Sequence, residues 1–202
     1  MARIARVVVP NYPHHVTQRG NRRQRVFFSS ADYQYYIQLM GKAKESAAVE
    51  IWAYCLMPNH VHFVVVPKES DGLARLFQEA HKRYTRRINF RHGWRGHLWQ
   101  ERFHSFVMDE TYLLRTVRYV ELNPVRAGLC QSPGEWEWSS ANAHLQGKDD
   151  HLALVKPMLS RIENWAEYLA VDESLKQLEL IRRFSRTGRE RDLINLSTVW
   201  NP

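Results

Sequence analysis

The chain has 202 residues, 44% of them hydrophobic and 12% aromatic, and its 29 Lys+Arg against 21 Asp+Glu give a formal net charge of +8. That is length enough for one domain with its own core, and too much apolar surface for a disordered chain. No apolar run approaches the ~20 residues of a membrane helix. The opening MARIARVVVP lacks the apolar length and small-residue cleavage site of a secretory signal. Cys55 and Cys130 make no disulfide framework. These bounds describe a basic, cytoplasmic protein with no membrane partner.

The charge is uneven. Up to Cys130 there are 20 Lys+Arg and 10 Asp+Glu, a net of +10, and the rest of the chain carries −2. Arg19, Arg22, Arg23 and Arg25 form one cluster, and Lys82, Arg83, Arg86, Arg87 and Arg91 another. The guanidinium fork donates two parallel hydrogen bonds to a phosphate, so two such clusters suit a polyanion. A single cluster is equally well a solvated face.

In chain order, Arg6–Val9 and His15–Arg19 read as extended segments broken by Pro10 and Pro13, and Gly20-Asn21 as a turn. Residues 32–48 carry Tyr36, Ile37, Met40 and Ala43 at helical spacing. Val49–Leu56 alternates as a strand, Met57-Pro58-Asn59 reverses the chain, and His60–Val66 completes a hairpin. From Asp71 to about Arg91, Leu73, Leu76, Phe77, Ala80, Tyr84 and Ile88 make the buried stripe of a long helix whose flank is strongly positive. An extended stretch over His97–Met108 precedes a helix from Tyr112 to about Leu122, expected to stop before Asn123-Pro124. Beyond Pro133 the pattern weakens, with helices expected over Ser160–Ala170 and Asp172–Phe184. The order predicts an α+β fold: a ferredoxin-like antiparallel sheet with helices on one face, followed by a helical C-terminal extension. The corresponding division is residues 1–140 as the main domain and 141–202 as extension and tail.

His60 and His62 flank Val61, so a strand turns both imidazoles to one side, where they can share a divalent metal ion. The pair alone is a weak signal. On the following helix, Tyr119 and Asn123 lie at i and i+4, roughly opposite the apolar residues Leu113, Val117 and Val120. Tyr119 is a potential nucleophile, and Asn123 offers a carboxamide oxygen one turn away. His14 and His15 read as structural, His104 as the alternative metal ligand, and Cys55 as core packing.

These residues resemble a family. His60-Val61-His62 is similar to the HUH motif, with U a bulky apolar residue, and Tyr119–Leu129 (YVELNPVRAGL) is similar to the nucleophile helix of single-tyrosine HUH transposases. Residues 15–21 (HVTQRGN), 54–60 (YCLMPNH) and 98–103 (LWQERF) extend the resemblance, from about Val7 to Ser140, to the REP-associated tyrosine transposases. The resemblance implies a metal-dependent nuclease and strand transferase acting on single-stranded DNA. Tyr119 attacks a phosphodiester to leave a 5′-phosphotyrosine link, and His60, His62 and Asn123 bind Mg2+ or Mn2+. It also implies hairpins of repetitive extragenic palindromes as partners. We assign Arg19, Asn21, Arg22, Arg23, Arg83, Arg86 and Arg87 to holding that DNA. The sequence names no general base, and Arg115 or Arg118 are the cations nearest Tyr119 in the chain. The implied protein is a monomer, with a dimer as the alternative, and works on the nucleoid. A non-cleaving module that binds palindromic DNA or RNA is the competing function.

Overall fold

The structure, a computed structural model, describes residues 7–171 together with 179 and 181. Four strands form one sheet: β1 (His14–Arg19), β2 (Val49–Met57), β3 (His60–Pro67) and β4 (His104–Val107). Their order is β2-β3-β1-β4 and every neighbouring pair is antiparallel. Helices α1 (Ser30–Ser46) and α2 (Gly72–His92) are the two crossovers, which gives the expected βαββαβ arrangement. Both pack on one face, where Val16, Tyr54, Leu56, Val61, Phe63 and Val65 from the strands meet Tyr36, Leu73, Phe77 and Tyr84. Asp32 ties these helices together. Its carboxylate accepts the N–H groups of Phe28 and Ser29 at the start of α1 and both guanidinium branches of Arg91 from the end of α2.

The third long helix departs from the expectation of helices on one face. Helix α3 (Glu110–Glu121) lies on the opposite side, its Leu113, Val117 and Val120 against Ala53, Cys55, Val64 and Phe106. The cause is the strand alternation itself. β2 and β3 are buried on both faces, and the second apolar row needs its own cover. Cys55 is fully buried in that row, as packing requires.

Helix α3 stops at Glu121, ahead of Asn123-Pro124 as expected, and after a turn at Leu122 the chain forms the short α4 (Asn123–Arg126), with the proline in its first turn, where its missing N–H needs no partner. Two further expectations shift. Val7–Val9 form no strand, and the stretch from His97 narrows to β4 plus a single bridge between Gly20 and Trp99. After Ser140 the chain makes α5 (Ala141–Gln146), α6 (Lys156–Leu159) and α7 (Trp165–Ala170). The helix expected over 172–184 lies outside the described residues, save 179 and 181. The segment is not detached. Leu152 and Ala153 join the core under α1, while Met158, Trp165, Tyr168 and Leu169 join the core around α3.

Candidate active site

The strand register assembles the site. On β3, His60 and His62 turn to the α3 side, their ring centroids 4.9 Å apart and nearly perpendicular. Across the ladder, Arg19 of β1 is paired with His60 and Thr17 with His62. Tyr119 meets His62 edge-on, with centroids 5.7 Å apart. These side chains line an open cleft of about 1010 Å³ together with Arg23, His104, Asn123 and Arg126. His60, His62, Tyr119 and Asn123 are therefore brought together as the sequence spacing implies.

Hydrogen bonds fix which imidazole nitrogens are available. Asn59 donates its Nδ2–H to the carbonyl of Arg23, which leaves Oδ1 to accept from His60 Nδ1, 2.6 Å away. His60 thus carries its proton on Nδ1 and keeps the Nε2 lone pair. His62 Nδ1 lies 2.9 Å from Nε2 of His15. When His62 donates in this bond, its own Nε2 is likewise a free donor atom for a metal. Burial pushes the pKa of His60 down to about 4 and that of His62 well below the ordinary value, with Arg19 adding to both effects. Both imidazoles are neutral at neutral pH, the state that binds metal.

Among the described residues no group of three His, Cys, Asp or Glu side chains is placed to hold a metal ion. A metal here needs a donor of another type, and Asn123 fits. It lines the cleft, and its buried Nδ2 has no hydrogen-bond partner among the described residues. Two neutral imidazoles and the carboxamide oxygen of Asn123 are donor types that suit Mn2+ or Mg2+.

Some residues stand where the sequence did not put them. His15, expected to be structural, is fully buried behind His62 on the site face, stacked on it and edge-on to Phe106. His14 is structural as expected: it accepts the Val9 N–H on Nε2 and bonds the Tyr12 carbonyl through Nδ1. Tyr119 is 8% exposed and borders the apolar face of α3 rather than opposing it. The C-terminal segment covers the far flank of the helix, and Thr116 and Glu121 are buried with it. The cation beside Tyr119 is Arg126, which neither cluster contained. Its guanidinium lies 5.4 Å from the ring centroid and donates to the Tyr119 carbonyl. Seven residues separate the two, and α4, one turn after α3, brings the Arg126 side chain back to Tyr119. Arg118 instead stacks on Tyr168.

The basic residues divide. Arg19 and Arg23 line the cleft. Asn21, Arg22 and Arg23 form a short 3-10 turn beside it, with Arg22 and Arg23 exposed and both in left-handed backbone (φ 52° and 61°). Such conformations are uncommon outside glycine and concentrate at functional sites. Gly20 permits the turn, since a Cβ there would sit 2.3 Å from the Gln24 carbonyl oxygen. Arg83, Arg86 and Arg87 lie on α2, across the sheet. Arg83 pairs with Glu79, Arg87 stacks on Tyr35, and Arg86 lines a second cleft.

Comparison with known proteins agrees with this geometry. The family profile described as "Transposase IS200 like" matches residues 8–123. The REP-associated tyrosine transposase of Escherichia coli (strain K12) is 25% identical over 121 residues, spanning 59% of this chain and 70% of that protein. The solved structure of a REP-associated tyrosine transposase bound to a REP hairpin shares the fold, with a TM-score of 0.62 at 22% identity, covering 77% of this chain and 93% of that one.

Proposed function

Because the chain belongs to the IS200-like transposase family, we propose that it cleaves and rejoins single-stranded DNA beside hairpins of repetitive extragenic palindromes, with Tyr119 as nucleophile. The observation that carries this reading is the Tyr119 phenol set against His62 in a cleft lined by Arg19, Arg23 and Arg126. The palindrome substrate is supported by the relatives, one named for such elements and one solved with a hairpin of that kind.

In the reaction the Tyr119 oxygen forms a bond to phosphorus and loses its proton. The bond from phosphorus to the 3′ oxygen breaks, and that oxygen takes up a proton. Rejoining reverses the exchange, so one phosphoester is traded for another without an energy source. His60, His62 and Asn123 would hold Mg2+ or Mn2+, which when bound supplies Lewis-acid polarisation of the scissile phosphate. Arg19 and Arg126 place fixed positive charge where phosphoryl transfer builds negative charge. Arg22 and Arg23, on the exposed turn, hold backbone phosphates of the DNA. The C-terminal segment of the same chain covers α3, which supports action as a monomer. A chromosomal DNA substrate places the protein in the cytoplasm, on the nucleoid. Among the described residues no helix is long and apolar enough to cross a membrane.

The test incubates the full chain with a labelled hairpin oligonucleotide and Mn2+, then looks for a protein–DNA adduct that survives denaturation. The wild type forms it, Tyr119→Phe does not, and His60→Ala loses it while still binding the hairpin. An adduct in Tyr119→Phe overturns the nucleophile assignment. Hairpin binding without any adduct in the wild type favours the non-cleaving module.

A further inference from the structure

The proposed reaction leaves one proton without a source: the 3′ oxygen must take one up as its bond to phosphorus breaks. Among the described residues three imidazoles line the Tyr119 cleft, those of His60, His62 and His104. The first two belong to the proposed metal set, and Asn123 gives that set its third donor without His104. The role of His104 is then open.

The sheet register places it. His62 of β3, Thr17 of β1 and His104 of β4 form one row, Thr17 being the partner of both histidines. Phe106, two residues along β4, meets His15 edge-on and packs under α3, so His104 faces α3 as well. Neighbouring strands lie about 4.8 Å apart, which sets the His62 and His104 backbones about 9.6 Å apart across Thr17. Tyr119 stands at the His62 end of the row, with ring centroids 5.7 Å apart. His104, half-buried, stands at the other end. In phosphoryl transfer the attacking and leaving oxygens lie roughly in line on opposite sides of phosphorus. A phosphodiester seated over Thr17 therefore meets the phenol on one side and turns its 3′ oxygen toward His104 on the other.

The rest of the lining is poorly suited to deliver a proton there. Arg19, Arg23 and Arg126 are guanidinium groups, which do not give up theirs. Glu101 and Glu179 are exposed, and an ionised carboxylate only accepts. An imidazole both gives and takes a proton near neutral pH.

We propose that His104 is the acid–base catalyst at the 3′ oxygen, an assignment that rests on the Tyr119 reading above. As the Tyr119 oxygen bonds to phosphorus, the bond to the 3′ oxygen breaks and its electron pair stays on that oxygen. The oxygen takes a ring N–H proton from the His104 imidazolium and leaves a neutral imidazole. In rejoining, the neutral imidazole takes the proton back from the 3′ hydroxyl as that oxygen attacks the phosphotyrosine. The proton lost by the phenol passes to water in the open cleft, and the same water recharges His104, so protons balance over the cycle.

The experiment compares two hairpin substrates that differ in one atom, an oxygen or a sulfur bridging to the 3′ carbon at the scissile phosphate. The rate of adduct formation is read on the full chain with Mn2+. A thiol, with a pKa of about 8.5, departs as thiolate without a proton, whereas an alkoxide does not. His104→Gln slows the oxygen substrate about 100- to 10,000-fold, the contribution of a positioned acid, and leaves the sulfur substrate near the wild-type rate. Attack of a 3′-hydroxyl strand on the adduct made from the sulfur substrate slows to a similar extent. Mn2+ affinity, read by EPR, does not change. His104→Asn repeats the comparison, with hairpin affinity as the check on folding. Equal loss on both substrates in both variants, or weakened Mn2+ binding, overturns the proposal, as does an undiminished rate on the oxygen substrate. A wild type that forms no adduct with either substrate refutes the Tyr119 reading itself and this assignment with it, so the two failures are read apart.

Discussion

Glu121, two residues past Tyr119, offers the sharpest test of how α3 is held. Its carboxylate has no exposed surface and receives three donors from the C-terminal segment. Ser140 Oγ–H and His144 Nδ1–H both reach Oε1 at 2.6 Å, and Trp165 Nε1–H reaches Oε2 at 2.9 Å. Glu121→Ala leaves all three donors buried without their acceptor. Each buried donor left without its acceptor costs about 1–3 kcal/mol, so the three together cost about 3–5 kcal/mol when the site partly relaxes. For a chain of this size each kcal/mol moves Tm by about 2–4 °C, so the variant melts roughly 6–20 °C lower. Glu121→Gln retains an oxygen for Ser140 and His144 but turns an N–H against that of Trp165. It costs about 1–3 kcal/mol, the penalty of an unsatisfied buried donor. Thermal and urea unfolding of the three proteins give the ordering directly, and limited proteolysis of Glu121→Ala should cut within residues 141–171 first. A Glu121→Ala protein that melts within 2 °C of wild type, or one no less stable than Glu121→Gln, refutes the reasoning.

Other outcomes follow from single contacts. Removing the acceptor behind His62 with His15→Ala should weaken Mn2+ binding about 10- to 100-fold, as for other partners of metal-bound histidines, in an EPR titration of free Mn2+; unchanged affinity would separate His15 from the metal. His81 is held neutral when folded but takes a proton below about 6.5 when unfolded, so stability falls as pH drops from 6.5 toward 3. Its share at pH 5 is about 2 kcal/mol, and His81→Phe should flatten the wild-type loss between pH 6.5 and 5 by that amount in urea melts; an unaltered slope refutes the assignment. Arg22→Ala with Arg23→Ala should reduce the slope of log affinity against log salt for a hairpin probe by about 0.7–0.9 per lost phosphate contact, and equal slopes would remove the turn from the DNA interface.

Much of the fold was legible because strand and helix periodicities were strong. Val61, Phe63 and Val65 alternate with His60, His62 and Val64, and that alone fixed which side of β3 carries the imidazoles. The four residues His60, His62, Tyr119 and Asn123 could be picked out for the same reason. Less legible was whatever depended on a partner distant in the chain. His15 is 47 residues from His62, and only the β1–β3 register makes them neighbours. The second layer beneath the sheet was missed because α3 looked amphipathic in isolation, while Glu121 is buried under Ser140, His144 and Trp165. Arg126 was passed over because it lies beyond the stop at Asn123-Pro124, and only the short helix that follows turns it back onto Tyr119.

The polar character of the sheet face under Tyr119 gives the C-terminal segment a part in the proposed chemistry as well as in stability. The first turns of α3 are held by apolar contacts, Leu113 and Val117 over Phe106 and Val64. Toward Tyr119 the sheet beneath turns polar, with His15, Thr17, His60 and His62 facing the helix, and a cleft replaces close packing. Apolar burial at this turn is reduced to Val120, so it holds the helix less firmly where the phenol must be placed most accurately. The Glu121 network, anchored on the opposite flank by Ser140, His144 and Trp165, supplies that constraint from behind. A misplacement of about 1 Å at a reacting group can reduce rate about 100-fold. Adduct formation by Glu121→Ala, measured well below its own Tm, should accordingly fall further than its hairpin affinity; a parallel fall in both would mean that the network stabilises the fold without positioning Tyr119.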